Sequence, residues 1–251
     1  MGKGQFEALT WGIAMKIRCV YEHNGNDTTL YADNFIGAYT RGASLAEAMG
    51  KMNREIASYL EWSKVSAYEP LPVEVVQEKC SDLQIADADS DVLFDTERTA
   101  IGKEEYDSLK ALALKSAEDF LALYEEIPDK SKSVLPYRKT FYGEVPRTAE
   151  EMYVHTKNVN AYYFREIGIE ADNEGTILEC RRRGFALLEQ MPDYLENKVY
   201  EGSYQELWSL RKVLRRFIWH DRIHAKAMYR MAVRTFGDGV VFDRFFVGTS
   251  I

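Results

Sequence analysis

The chain has 251 residues, 46% hydrophobic and 29% charged, which supplies a core and excludes a disordered chain. No uncharged apolar run approaches the roughly 18 residues that a membrane helix needs, so integral membrane function is set aside. The net charge of −8 repels phosphate backbones, so nucleic acid is not an expected partner.

The acidity is concentrated in front. Residues 1–98 carry 9 basic and 16 acidic side chains, whereas residues 99–251 carry 23 and 24, an imbalance that suggests two units. Three cysteines, Cys19, Cys80 and Cys180, are odd in number and form no CxxC pair, which points to a reducing, cytoplasmic compartment. The segment Ala8 to Met15 is too short and too weakly basic in front for a secretory signal. Met15 reads as a second start, making residues 1–14 an extension or tag remnant.

From Lys16 the pattern is short and β-like. Lys16 to Tyr21 alternates in type, Asn24-Gly25-Asn26-Asp27 is turn chemistry, Thr28 to Ala32 is extended, and Gly37 to Thr40 reads as a third strand. Ser44-Leu45-Ala46-Glu47 is a capping box, in which hydroxyl and carboxylate each satisfy an orphan amide of a first helical turn. Leu45, Ala48, Met49, Met52, Ile56, Tyr59 and Leu60 follow at helical spacing to an end near Trp62. This β-β-β-α unit is small and would gain from docking elsewhere. Residues 66–100 are poorly patterned: Pro70 and Pro72 bracket a loop, Val73 to Val76 reads as a strand, and Asp87-Ala88-Asp89-Ser90-Asp91 is an acidic turn. The boundary falls near residue 98, giving units at 15–98 and 99–251.

Helical periodicity dominates from Glu104 onward. One helix spans about 103–127 and stops at Pro128, and a second runs from the Thr148/Glu151 capping box to Ile167 before Gly168. A third covers about 175–190, and a long fourth runs from Ser203 to Phe236, stopping at Gly237. Val240 to Phe246 reads as a strand or a packed tail. The expected fold class is α+β: a small N-terminal β-β-β-α unit followed by an antiparallel four-helix bundle.

Three of the four histidines fall on the expected bundle helices. His220 and His224 are four residues apart, one turn on the same face. At about 100° per residue, Leu210, Val213, Phe217, Met228 and Met231 share their side. Opposite lies a basic stripe, Arg211, Arg215, Arg222, Lys226 and Arg230, which reads as a solvated face or, alternatively, a docking surface. His155 shares its face with Met152, Val159 and Tyr162 and also points inward. Two helices thus offer three imidazoles to one point, the way bundles build metal sites, against the plainer reading of satisfied core histidines. Three neutral imidazoles suit Zn, Ni, Fe or Co and leave coordination positions open. His220-Asp221-Arg222-Ile223-His224 departs from the zinc-protease HExxH, because aspartate stands where that helix has its longer glutamate base. His23 lies beside a turn and reads as a surface residue.

Two resemblances follow from these residues. Thr148-Ala149-Glu150-Glu151-Met152-Tyr153-Val154-His155, with Leu210 to His224, resembles the DinB-like superfamily, over about residues 101–237. That family includes thiol-dependent S-transferases and places one metal-binding histidine on its second helix and an HxxxH pair on its fourth. The resemblance implies His155, His220 and His224 as ligands of a divalent metal (Zn, Ni or Fe). Tyr31 to Gly42, followed by Ser44 to Met49, more weakly resembles the HicB-like antitoxin fold. No DNA-binding helix-turn-helix accompanies it.

The first expected function is therefore a metal-dependent transferase in which a low-molecular-weight thiol attacks an electrophilic small molecule. The alternative is a non-enzymatic interaction or sensor protein with a vestigial site, the front unit being a toxin–antitoxin-like module. Arg216, Asp221 and Tyr162 flank the site and read as packing or, for Arg216, as a solvated flank. Self-association as a homodimer is left open.

Overall fold

The computed structural model describes residues 16–24, 27–65, 68–81, 91–140 and 143–248. The extension over 1–14, the middle of the turn at 24–27 and most of the acidic turn at 87–91 lie outside them.

The chain is mixed α+β, with a four-stranded N-terminal sheet and five α-helices among the described residues. Strands β1 (Ile17–His23), β2 (Thr28–Ala32) and β3 (Tyr39–Gly42) pair antiparallel in sequence. Helix α1 (Leu45–Ser63) then carries the chain back, and β4 (Val73–Cys80) joins the free side of β1 in parallel. The strand order is β3-β2-β1-β4. The fourth strand thus completes the three-stranded expectation, because a parallel neighbour requires the helical crossover that α1 supplies. Ser44 caps α1 through its hydroxyl, and the Glu47 carboxylate accepts from the Ala43 amide.

Alternation along the strands splits the sheet's side chains between two faces. Ile17, Cys19, Leu30 and Ala32 share a core with Ala48, Met52 and Ile56 of α1. Val20, Tyr31 and Tyr39 belong to a second cluster with Val92, Phe94 and Trp219. Both faces are therefore covered, one by α1 and the other by the 91–94 segment and α5 (Leu210–Phe236).

Helices α2 (Lys103–Glu126), α3 (Ala149–Arg165) and α4 (Ile177–Leu188) complete the helical part. α2 and α3 each pack against both α4 and α5. Reciprocal capping boxes start α3 (Thr148, Glu151) and α4 (Thr176, Glu179). The start of the last helix moves from the expected Ser203 to Leu210. Tyr204 and Gln205 sit at positive φ, a short ladder pairs 200–201 with 207–208, and Ser209 is the N-cap. The C-terminal segment is a packed tail: Phe245 stacks on Trp62, and its carbonyl accepts from the Ser58 hydroxyl. His23 pairs with Glu78 and stacks on Tyr21, so it is part of the sheet surface.

The basic stripe of α5 is not solvated. Arg215, Arg222 and Lys226 are only 1%, 0% and 7% exposed. Glu97 binds Arg215, while Glu55 of α1 holds both Arg222 (2.9 Å) and Lys226. Arg211 pairs with Glu105, and Arg230 alone of the five is exposed. Helical phase identifies a polar face, but carboxylates from elsewhere in the chain are what bury it. Burial alone would raise the Glu55 carboxyl; the two cations reverse that and hold it below its usual range. Gly37, in the turn before β3, fits where a Cβ would stand 2.3 Å from Ile218 Cγ2, and its φ is +93°. The sheet therefore lies directly on α5. No helix among the described residues is long and apolar enough to cross a membrane.

Candidate metal centre

Thr148 and Ser209 set the phase of the two helices that carry the histidines. His155 follows its cap by roughly two turns. His220 and His224 lie mid-way along α5, on the side where Leu210, Val213, Phe217, Met228 and Met231 are all buried. The expected convergence is present. Ring centroids lie 5.2 Å apart for His155–His220, 4.6 Å for His155–His224 and 4.4 Å for His220–His224. One nitrogen from each ring lies within 4.8 Å of the other two.

The triad spans a gradient of exposure: His220 is buried, His224 half-buried, and His155 exposed. His155 was expected to point inward; it faces its partners but from the rim. The site therefore has a closed floor and an open side. Tyr163 meets the His220 ring edge-on at 6.0 Å, and Trp219 stands 6.2 Å away.

Two observations test whether a metal fits. Among the described residues His220 Nδ1 is buried without a hydrogen-bond partner, and an unsatisfied buried imidazole nitrogen is destabilising unless something binds it. Three nitrogens bound at about 2.1 Å around one ion stand roughly 3.4 Å apart in a tetrahedral site, so the rings must close in by on the order of an ångström, through side-chain torsion, to share one centre. Protonation also suits ligation. Burial, then the neighbouring imidazoles, then Arg216 and Arg181 keep His220 well below the ordinary imidazole value. Burial, His155 and Arg41 do the same for His224. Neutral rings keep the lone pairs that coordination uses.

The flanking residues are packed, Asp221 and Tyr162 as expected and Arg216 in place of a solvated flank. Arg216 is 1% exposed and donates to the Tyr163 hydroxyl at 3.2 Å, so it forms the floor beside His220 and is no solvated flank. Asp221 is fully buried and accepts from Arg181 (3.1 and 3.3 Å) and the Ser116 hydroxyl (2.6 Å), on the α2–α4 side. It is thereby committed away from the triad, which removes the protease-like base. Tyr162 packs edge-on against Trp208. The field of Arg41, on β3, contributes to the lowered His224 value, and nothing in the sequence announces it.

No family model, curated protein or solved structure matches this chain.

Proposed function

We propose that this chain binds a divalent metal through His155, His220 and His224 and acts as a thiol-dependent S-transferase of the DinB-like kind. In this reading α2–α5 form its antiparallel four-helix bundle, and the front sheet is a HicB-like unit docked on it. The observation that carries the reading is the convergence of three imidazole nitrogens from two helices, with His220 buried at its base. Zn, Ni or Fe suits such a donor set. When bound, the ion supplies Lewis acidity that favours the thiolate form of a low-molecular-weight thiol, the nucleophile for an electrophilic small molecule.

The chain's own residues do the rest. Burial keeps the His220 and His224 imidazoles neutral, the two capped helices hold their spacing, and Tyr163, Trp219 and Arg216 close the floor. The exposed rim at His155 is the entry side for thiol and electrophile.

Elemental analysis of native protein tests this, with about one ion per chain expected for a three-histidine site. Adding Zn²⁺ should raise Tm by mass action in the wild type. His220→Ala should lose both the ion and the Tm response while keeping the helical circular dichroism signal. Thiol-conjugation assays on loaded protein then test the transfer step. Wild-type protein that takes up no ion, or a variant that unfolds with unchanged metal content, overturns the reading.

A further inference from the structure

Helix α4 carries none of the three histidines, yet adjacent residues on it grip both helices that do. On one side, the Arg181 guanidinium donates to both carboxylate oxygens of Asp221 on α5, at 3.1 and 3.3 Å. It also lies 3.8 Å from the centroid of the Phe217 ring. Phe217 and Asp221 are one turn apart and bracket His220. On the other side, the Cys180 carbonyl accepts from the Asn160 side-chain amide of α3 at 3.3 Å. The first residue of α4, Ile177, donates its amide to the Tyr153 hydroxyl of α3 at 3.1 Å. Tyr153 and Asn160 bracket His155 in the same way. Helix α2 backs the arrangement: the Ser116 hydroxyl donates to Asp221 at 2.6 Å, and the Ala113 carbonyl accepts from Arg181 at 3.3 Å. Ser116, Asn160, Arg181 and Asp221 are all fully buried.

A buried ion pair adds little net stability, because desolvation offsets most of its attraction. Its geometry is what apolar packing lacks. A two-pronged guanidinium–carboxylate contact is directional, so it fixes both the rotation of α5 and its height against α4. Ligands of a metal must be held to roughly half an ångström, and their outer partners govern affinity through that placement.

We propose that Arg181 with Asp221, and Cys180 with Asn160, form a buried brace through α4 that sets the span between the imidazole of α3 and the pair on α5. Arg181, Asp221 and Asn160 are positioning residues, acting on the ion only through the histidines. The inference rests on the metal reading above and deepens it, by assigning the ligand-free helix a part in the site.

The test titrates full-length protein with Co²⁺, whose visible absorption reports both binding and coordination geometry. The double variant Arg181→Met/Asp221→Leu replaces the pair by apolar side chains, a change that is often neutral or stabilising. It should keep a urea midpoint at or above the wild-type value, yet bind Co²⁺ about tenfold more weakly and with a changed visible spectrum. Asn160→Leu, which loosens the α3 side alone, should act in the same direction. If the double variant fails to fold, Ser116→Ala decides: it removes one contact to Asp221 and should shift affinity and spectrum the same way by a smaller factor. A folded variant with unchanged Co²⁺ affinity and spectrum overturns the brace and leaves the metal reading standing. So does a weakened affinity accompanied by lost stability and an unchanged spectrum, which would mark the pair as packing alone. Failure of the wild type to take up Co²⁺ overturns both.

Discussion

A buried polar atom left without a partner forfeits about 1–3 kcal/mol, and among the described residues His220 Nδ1 is such an atom. The ring packs beside those of Tyr163 and Trp219. His220→Leu is therefore expected to abolish metal uptake and yet leave the metal-free protein as stable as wild type, or up to about 2 kcal/mol more stable. Urea unfolding after chelation checks this, and a loss of more than about 1 kcal/mol would show that the imidazole is held by its surroundings. The pairing of His220 with His224 was readable at this scale, because one-turn spacing needs only helical geometry. The fates of Arg216 and Asp221 were not. Each depends on a partner from another helix, Tyr163 for the one and Arg181 with Ser116 for the other.

At the scale of elements, the contact between α1 and α5 turns on Glu55. Two buried cations depend on this carboxylate, with Arg222 also lying over the rings of Tyr59 and Trp62. Removing one partner of a buried ion pair typically costs about 3–5 kcal/mol, so Glu55→Ala should lower stability by that order in urea titrations. The pH dependence follows from the same group. The folded carboxyl is held below its ordinary value of 4.5, so on acidification the unfolded chain takes up the proton first. The stabilisation is complete above that value and is lost as pH falls through it toward the lower folded value. Wild-type stability should therefore fall more steeply below about pH 4.5 than that of Glu55→Gln, and parallel curves would contradict the assignment. Elements with local caps were legible: Ser44, Thr148 and the stop at Pro128 all mark real helix ends. The start of α5 was not, since Tyr204 and Gln205 adopt positive φ without a glycine to signal it.

Across the whole molecule, one hydrophobic cluster runs from Ile17 of the sheet to Val247 of the tail. Trp62 donates to Asp119 of α2, and Ser58 donates to the tail carbonyls, so α1 is fastened at several points. Such a shared core should melt as one unit. Calorimetry of the full chain is expected to show a single transition with matching calorimetric and van't Hoff enthalpies, and two separated peaks would mean that the front unit folds alone. The charge asymmetry between the two parts, legible from counting, acquires a physical meaning here, because acids of the front part neutralise cations of α5. Local spacing, caps and breakers are short-range properties, so the α+β class, most helix limits and the HxxxH pair could be had from the linear chain. Which charged face would be buried and how far His155 would stand from the floor were settled by packing between remote segments. Those contacts are set by the free energy of burying and pairing groups far apart in the chain, and no window of neighbouring residues contains that information.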